Sequence, residues 1–267
     1  YLGWPILGRK QIISNIKCKD IENYWRNHYH AKNILISIAG SFDREKVISF
    51  LETIEPNKHQ DKIKVSNPVF NGVLKSRQKE VEQVHMVLGS ETFSIYDERR
   101  YAMSLLNNIL GFGSSSRMYL NIREKQGLCY SISSSLNLDK KAGIIGIHTS
   151  TKPNNICKMI ESIKKEIKSL KAKKITDEEL AIAKAQLKAN IIFNEENINY
   201  CMQKNASHMF WFNEIIPTER RIARIEETSI HDIYHVYDEV FQEGKKLTGF
   251  AILPYGLEDK FPNEFIV

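Results

Sequence analysis

Two side chains within residues 114–131, Arg123 and Tyr130, are of types that can hold a polarised oxygen atom. Arginine offers a planar fork of N–H donors, and tyrosine offers a phenolic O–H. If both point at one place, they can hold a peptide carbonyl or a terminal carboxylate and stabilise a developing oxyanion. The alternative interpretation is a surface salt bridge for Arg123 and a half-buried strand position for Tyr130.

A short helix followed by a strand is expected to position these two residues. Serines at 114–116 are candidate N-caps, and Gly127 stands where a helix C-cap needs a residue that tolerates positive φ. The apolar residues at helical spacing between them are Met118, Tyr119 and Ile122. After the glycine the pattern changes to period two, which predicts a strand leaving the same corner. One side of that strand is expected to carry Tyr130, Ile132, Ser134, Leu136 and Leu138. Arg123 and Tyr130 should therefore converge.

Composition places the chain among soluble globular proteins. Its 267 residues are 42% hydrophobic and 26% charged, enough to bury a large core in one or two domains. The net charge of +6 is spread over many segments without a basic patch interleaved with aromatic residues, so we expect a solvated lysine-rich surface and no nucleic-acid binding. No apolar run approaches the ~20 residues that a membrane-spanning helix needs.

The four cysteines are Cys18, Cys129, Cys157 and Cys201. They are far apart, without a C-x-x-C pair, and we expect free thiols. Free thiols favour a reducing compartment, so the expected location is cytoplasmic. The chain starts with Tyr1 and not Met, which leaves periplasmic and organellar locations open.

The remaining pattern predicts an α+β fold with an antiparallel-rich sheet and helices packed on one face. Strands are expected near residues 33–40, 74–79, 84–89, 130–138, 144–150 and 247–253. Helices are expected near residues 20–29, 43–54, 96–110, 153–170, 176–194, 200–212, 218–227 and 229–241. Residues 55–71 carry two prolines and many charges and are the best candidate linker.

An internal comparison indicates a duplication. Residues 20–29, DIENYWRNHY, align with residues 232–241, DIYHVYDEVF, at a separation of 212 residues. Two similar halves would leave only the end of the first half here, with roughly 150 residues missing upstream. We therefore expect residues 1–62 to be the remnant of a first domain and residues 63–267 to be a complete second domain.

Residues 106–130, LNNILGFGSSSRMYLNIREKQGLCY, resemble the most recognisable segment of the second domain of the pitrilysin and mitochondrial processing peptidase family of zinc peptidases. The family pattern is approximately LLN-x-iLGgg-x-SSRLf-x-x-iREk-x-GLaYs. The differences here, Phe112, Met118 and Cys129, leave the arginine and the tyrosine intact. Residues 7–40 also resemble the end of the family's first domain. In the second half of the chain, residues 175–188 resemble the family's "gIteeEL-x-x-AK-x-qLK" helix.

The resemblance implies a function for these positions. In this family the second domain lacks the metal and forms the far wall of a peptidase chamber, and its arginine and tyrosine reach towards the substrate backbone. These correspond to Arg123 and Tyr130, with Gly111 and Gly113 in a loop beside them that can admit an extended peptide. Family members commonly pair, so a homo- or heterodimer and a peptide or unfolded polypeptide substrate are expected.

The zinc site of the family is not expected in this chain. Its ligands are an inverted H-x-x-E-H helix and a downstream glutamate in the first domain, and neither H-x-x-E-H nor H-E-x-x-H occurs in the 267 residues. His231 and His235 share a helical face, but Asp232 between them is expected to cap a helix that starts at Ser229. Zinc would belong to the intact enzyme, and this chain alone should be inactive. The alternative function is a non-catalytic partner or scaffold subunit of the same family.

Overall fold

The computed structural model describes residues 3–54 and 67–267. The chain divides into two compact units, one formed by Tyr1–Pro68 and Asn194–Ile215 and the other by Val69–Phe193 and Ile216–Val267. The predicted division at residue 62 and most of the predicted linker at residues 55–71 lie outside the described residues. Within the described ranges, no helix combines the length and apolar character needed to cross a membrane.

The larger unit is built on one mixed sheet. Its strands are β1 (Leu74–Gln78), β2 (Val84–Thr92), β3 (Cys129–Leu138), β4 (Gly143–Thr151), β5 (Lys246–Leu253) and β6 (Phe265–Ile266). The strand order is β1-β5-β2-β4-β3, with β6 paired to β5. The β1–β5 pair is parallel and the other pairs are antiparallel. The expected hairpin of β3 and β4 is present, whereas β6 was not predicted.

The described residues form nine α-helices, of which all but α1 were predicted. They are α1 (Lys10–Ile13), α2 (Cys18–His28), α3 (Arg44–Glu52), α4 (Arg100–Gly111), α5 (Ile156–Ala172), α6 (Asp177–Glu195), α7 (Ile198–Phe212), α8 (Thr218–Glu227) and α9 (Ile230–Val240). Short 3-10 turns occur at Ala31–Asn33, Pro153–Asn155 and Glu258–Lys260. Asp43 caps α3 by accepting the backbone N–H groups of Glu45 and Lys46, at 3.1 and 3.2 Å. Thr176 and Glu179 form the expected capping box of α6.

The core lies between the helices and one face of the sheet. Along β2, Val84, Met86 and Leu88 are buried, while the residues between them face outwards. Helix α4 contacts β3 and helix α9 contacts β2. Their buried side chains include Leu105, Leu106, Ile233 and Val236. The predicted α+β fold with an antiparallel-rich sheet is confirmed.

One predicted strand and the start of one predicted helix differ from the structure. A strand was expected near residues 33–40, but Ala31–Asn33 form a 3-10 turn and residues 34–39 have no strand pairing among the described residues. Ile34 and Ile36 are about half exposed. A strand needs a neighbouring backbone to take up its N–H and C=O groups, and high β-propensity does not supply one. Helix α4 begins at Arg100 and not at residue 96, because residues 94–97 form a turn in which Ser94 O accepts the Asp97 N–H at 3.1 Å.

The helices α2 and α9 occupy equivalent places in the predicted duplication. Their first residues, Cys18 and Ile230, are 212 residues apart, and so are their last residues, His28 and Val240. In α2, Asp20 accepts the backbone N–H of Lys17 at 2.9 Å. In α9, Asp232 accepts that of Ser229 at 2.8 Å. Each of the two helices therefore starts with an aspartate that accepts a backbone N–H three residues earlier.

Candidate functional site

The segment that carries Arg123 begins with a tight turn after α4. Gly113 adopts a φ of 91°, a region that favours glycine. Its carbonyl accepts the Ser116 hydroxyl at 2.7 Å. Gly113 is exposed.

Gly111 has a different place from the one expected. It is the last residue of α4, not part of a loop, and it is buried. A Cβ atom on Gly111 would stand 2.7 Å from Ser134 Oγ and 2.9 Å from Ser134 N. The glycine therefore allows α4 to approach β3 closely, and packing accounts for it.

Arg117 fixes the start of the next turn to the rest of the larger unit. Its guanidinium makes a bidentate contact with Glu179, at 2.7 Å from Nε and 2.8 Å from Nη2. It also donates to the carbonyls of Ser169 and Lys174, at 3.2 and 3.3 Å. The hydrogen bond from Arg117 is the main cause that lowers the pKa of the Glu179 carboxyl. One side chain thus joins this turn to α5 and to the capping box of α6.

The turn itself is a π-helical segment, Tyr119–Glu124, where an ordinary short helix was expected. The Lys125 N–H donates to the carbonyl of Leu120 at 3.0 Å, and the segment ends at Gly127 with a φ of 60°. A hydrogen bond of 2.9 Å from Asn121 to the buried Glu166 holds it against α5. Single π-helical turns often occur at functional sites because they redirect one side chain.

Arg123 lies on this segment between two aromatic rings. Its guanidinium carbon is 4.5 Å from the centroid of the Tyr119 ring and 5.8 Å from that of Tyr130. The Arg123 side chain is 31% exposed. Its Nε lies 3.9 Å from Oε1 of Glu124, a distance too long for a hydrogen bond. The rings hold the guanidinium in place and leave its donors available.

Tyr130 projects from the sheet because of a β-bulge. Cys129 pairs with Thr151 and Ser131 pairs with Ser150, so Tyr130 is the extra residue on β3. Its side chain is 81% exposed, whereas Ile132 is 5% exposed. The expectation that these two residues share a side of the strand is wrong, since the bulge shifts the alternation by one residue.

The structure thus brings the predicted pair together at one exposed corner. The sequence analysis missed Tyr119, the second ring against Arg123, although its position four residues before Arg123 on a helical turn is a usable signal. It could not have found the bulge, because no residue type at 129–131 demands one. Cys129, beside the corner, is not an activated thiol: burial raises its pKa, against smaller lowering effects of Thr149 and Arg123.

The other candidate ligands are used elsewhere. Asp232 completes the expected capping box with Ser229. His235 Nδ1 lies 3.3 Å from Glu239 on its own helix. In the part of the chain that the structure describes, no three His, Cys, Asp or Glu side chains are grouped to hold a metal ion.

Comparison with known proteins agrees with the fold. The family profile described as "Peptidase M16 inactive domain" matches residues 15–187. An uncharacterized zinc protease of Rickettsia felis is 30% identical over 90% of this chain and 58% of its own length. One of Bacillus subtilis is 27% identical over 91% and 59%. The chain thus spans about three fifths of these relatives.

Solved structures show the same fold. A protease from Helicobacter pylori superposes with a TM-score of 0.79 at 21% identity, covering 93% of this chain and 62% of that one. A peptidase M16 inactive domain from Pseudomonas fluorescens gives 0.80 at 18% identity, covering 92% and 60%. The profile match, which covers more than half of the chain, shows that this chain belongs to the peptidase M16 inactive-domain family.

Proposed function

We propose that this chain is the C-terminal portion of a zinc-dependent peptidase and supplies the substrate-binding wall of its chamber. The observation that carries the proposal is the corner at which the Arg123 guanidinium carbon lies 5.8 Å from the ring centroid of the exposed Tyr130. The names of the relatives, zinc proteases of which this chain covers about three fifths, support it.

In this function Arg123 and Tyr130 bind the backbone of an extended peptide or unfolded polypeptide. The guanidinium donates to a peptide carbonyl or carboxylate, and the phenol donates to the same oxygen or to a neighbouring one. The ring contacts of Arg123 and the outward direction that the bulge gives to Tyr130 support this role. Donors that need no rearrangement are more effective at stabilising charge that develops during a reaction.

The turn beyond α4 and the free edge of the sheet extend this surface. Within the described residues β3 is an edge strand, so a peptide can pair with its backbone without strict sequence preference. Gly113 belongs to the proposed binding turn. Gly111 contributes by letting α4 pack against β3.

Zinc belongs, in this proposal, to the part of the intact protein that precedes residue 1, with residues 1–62 as the end of that metal-bearing domain and residues 63–267 as the metal-free one. The remaining proposals are a homo- or heterodimer and a cytoplasmic location, the latter supported by four free cysteines. The second candidate function is a non-catalytic partner or scaffold subunit, and the absence of a metal-ligand group among residues 3–54 and 67–267 is compatible with both functions.

Sequencing the full-length protein separates the two functions. An H-x-x-E-H motif in the preceding residues is expected for the peptidase, and its absence there would favour the partner subunit. The role of the corner is then tested by the turnover of Arg123 and Tyr130 variants in the intact protein.

A further inference from the structure

The face of the sheet that carries no helices is open and has a groove across it. The groove has a volume of about 290 Å³, and its lining includes His85, Val87, His148 and Phe250. Val87 and Phe250 are paired across β2 and β5 and are 41% and 46% exposed. A space of this size is below that of most whole-ligand pockets and suits one large apolar side chain.

Strand register places basic side chains on the same face. Lys75 pairs with Phe250 and Arg77 pairs with Ile252, and residues directly opposite each other on neighbouring strands share a face. Neither Lys75 nor Arg77 forms an ion pair with a carboxylate that the structure describes. We call the set Lys75, Arg77, His85, Val87, His148 and Phe250 the open-face cluster.

Negative charge is sparse around this cluster. The groove lining contains no aspartate or glutamate. On β2 the nearest carboxylate of the same face is Glu91, four residues beyond Val87 and opposite Ile144. Lys246 of β5 is already paired with Glu264. The cluster therefore complements an acidic, partly apolar ligand.

The cluster is continuous with the corner of Arg123 and Tyr130. One cross-strand row runs from Arg77 through Ile252, His85 and Ser150 to Ser131, the residue that follows Tyr130. Five strands span about 19 Å, which an extended peptide of about six residues covers. A chain held at Tyr130 can therefore reach the basic end of the row at β1.

We propose that the open-face cluster binds an extended acidic segment of a polypeptide substrate, with one large apolar side chain on Val87 and Phe250 and carboxylates beside Lys75, Arg77, His85 and His148. The proposal rests on the proposed substrate-binding function and names the substrate class. A second copy of this chain is a poor occupant, because its net charge is +6.

The test is peptide binding to the purified 267-residue chain, measured by fluorescence anisotropy at low salt. The probes are a labelled peptide of about a dozen residues with glutamates around one phenylalanine and its counterpart with every glutamate replaced by glutamine. We expect the acidic peptide to bind about 10-fold more tightly, and high salt to reduce the difference.

Variants locate the binding surface. The double variant Lys75→Glu/Arg77→Glu should abolish the preference for the acidic peptide. The matched control Lys165→Glu/Lys168→Glu, which changes the charge equally at exposed positions of α5, should preserve it. Phe250→Ala should weaken both peptides by about 5-fold, through loss of apolar contact.

Equal binding of the two peptides to the wild-type chain would overturn the proposal. Loss of the preference for the acidic peptide in the α5 control variant would also overturn it, as would the failure of both peptides to bind. If both peptides bind equally and Arg123→Ala weakens both, the substrate-wall function stands and only the acidic preference fails. Circular dichroism of each variant verifies that it is folded.

Discussion

The guanidinium carbon of Arg123 lies 5.8 Å from the centroid of the Tyr130 ring, although the two residues come from a π-helical turn and a β-bulge. Each of these irregularities redirects one side chain, and together they bring a charged donor and a phenol to one exposed corner. Because Tyr130 is 81% exposed, burial of its ring contributes little to the stability of the fold.

In the intact protein, Arg123→Ala or Tyr130→Phe should lower turnover by about 10- to 1000-fold if the two groups stabilise an oxyanion. The Tm should change little, because both groups lie at the surface. Steady-state kinetics and thermal unfolding measure the two effects. The matched control is Lys125→Ala, an exposed cation on the same segment, for which turnover should stay near wild type. Wild-type rates in both corner variants would assign Arg123 and Tyr130 a structural role only.

The 267-residue chain alone should show no chelator-sensitive peptide hydrolysis, because its described part has no group of side chains placed to hold a metal ion. The measurement is hydrolysis of an unfolded polypeptide with and without a chelator, together with the zinc content of the purified chain. Stoichiometric zinc accompanied by activity would contradict this expectation. A full-length protein containing H-x-x-E-H serves as the positive control.

Arg117→Ala should lower the free energy of unfolding by about 2 kcal/mol, because it removes a bidentate charged contact and leaves Glu179 and two carbonyls without their donor. Urea denaturation measures the change. Lys46→Ala is the control. The Lys46 side chain is 86% exposed, so its ion pair with Asp43 should contribute little to the free energy of unfolding. Equal effects of the two substitutions would show that Arg117 does not hold the segment.

The pH dependence of stability should contain a contribution from Glu179. Its folded-state pKa lies below the ordinary value of 4.5, chiefly because of the hydrogen bond from Arg117. The stabilisation is therefore fully present above that value and is lost as the pH falls through the lower folded-state pKa. Urea midpoints between about pH 6 and pH 3 should show this loss in the wild-type chain, with a smaller slope in Arg117→Ala. Parallel profiles in the two proteins would contradict it.

Gly111→Ala should destabilise the chain by about 1–3 kcal/mol, because the new methyl group would stand 2.8 Å from Ser134 Cβ and 2.9 Å from its backbone nitrogen. Gly3→Ala, where no atom lies within 4 Å of the added carbon, should have little effect. Chemical denaturation compares the two variants. A Gly111→Ala protein with wild-type stability and reduced peptide binding would contradict the packing role of Gly111 and indicate a direct role in peptide binding.

Local pattern was sufficient for much of this protein. Helical periodicity and capping residues such as Asp43, Thr176 and Ser229 located the helices to within a few residues, because these signals depend on neighbours three or four positions away in the chain. The convergence of Arg123 and Tyr130 also followed from local pattern, since a short turn and a glycine separate them. The placement of α2 and α9 at a constant separation of 212 residues was likewise visible in the sequence.

Tertiary structure decided what depends on partners distant in sequence. The extra residue at Tyr130 exists only in relation to β4, against which the register of β3 is measured, and the burial of Gly111 depends on how closely α4 approaches Ser134. Residues 34–39 have strand-like composition, yet no backbone pairs with them among the described residues, so composition alone did not make a strand. The sequence by itself determined most helices and strands and the proximity of Arg123 and Tyr130, because these depend on residues close together in the chain. Hydrogen-bond pairing and close packing between distant segments determined the bulge at Tyr130 and the burial of Gly111.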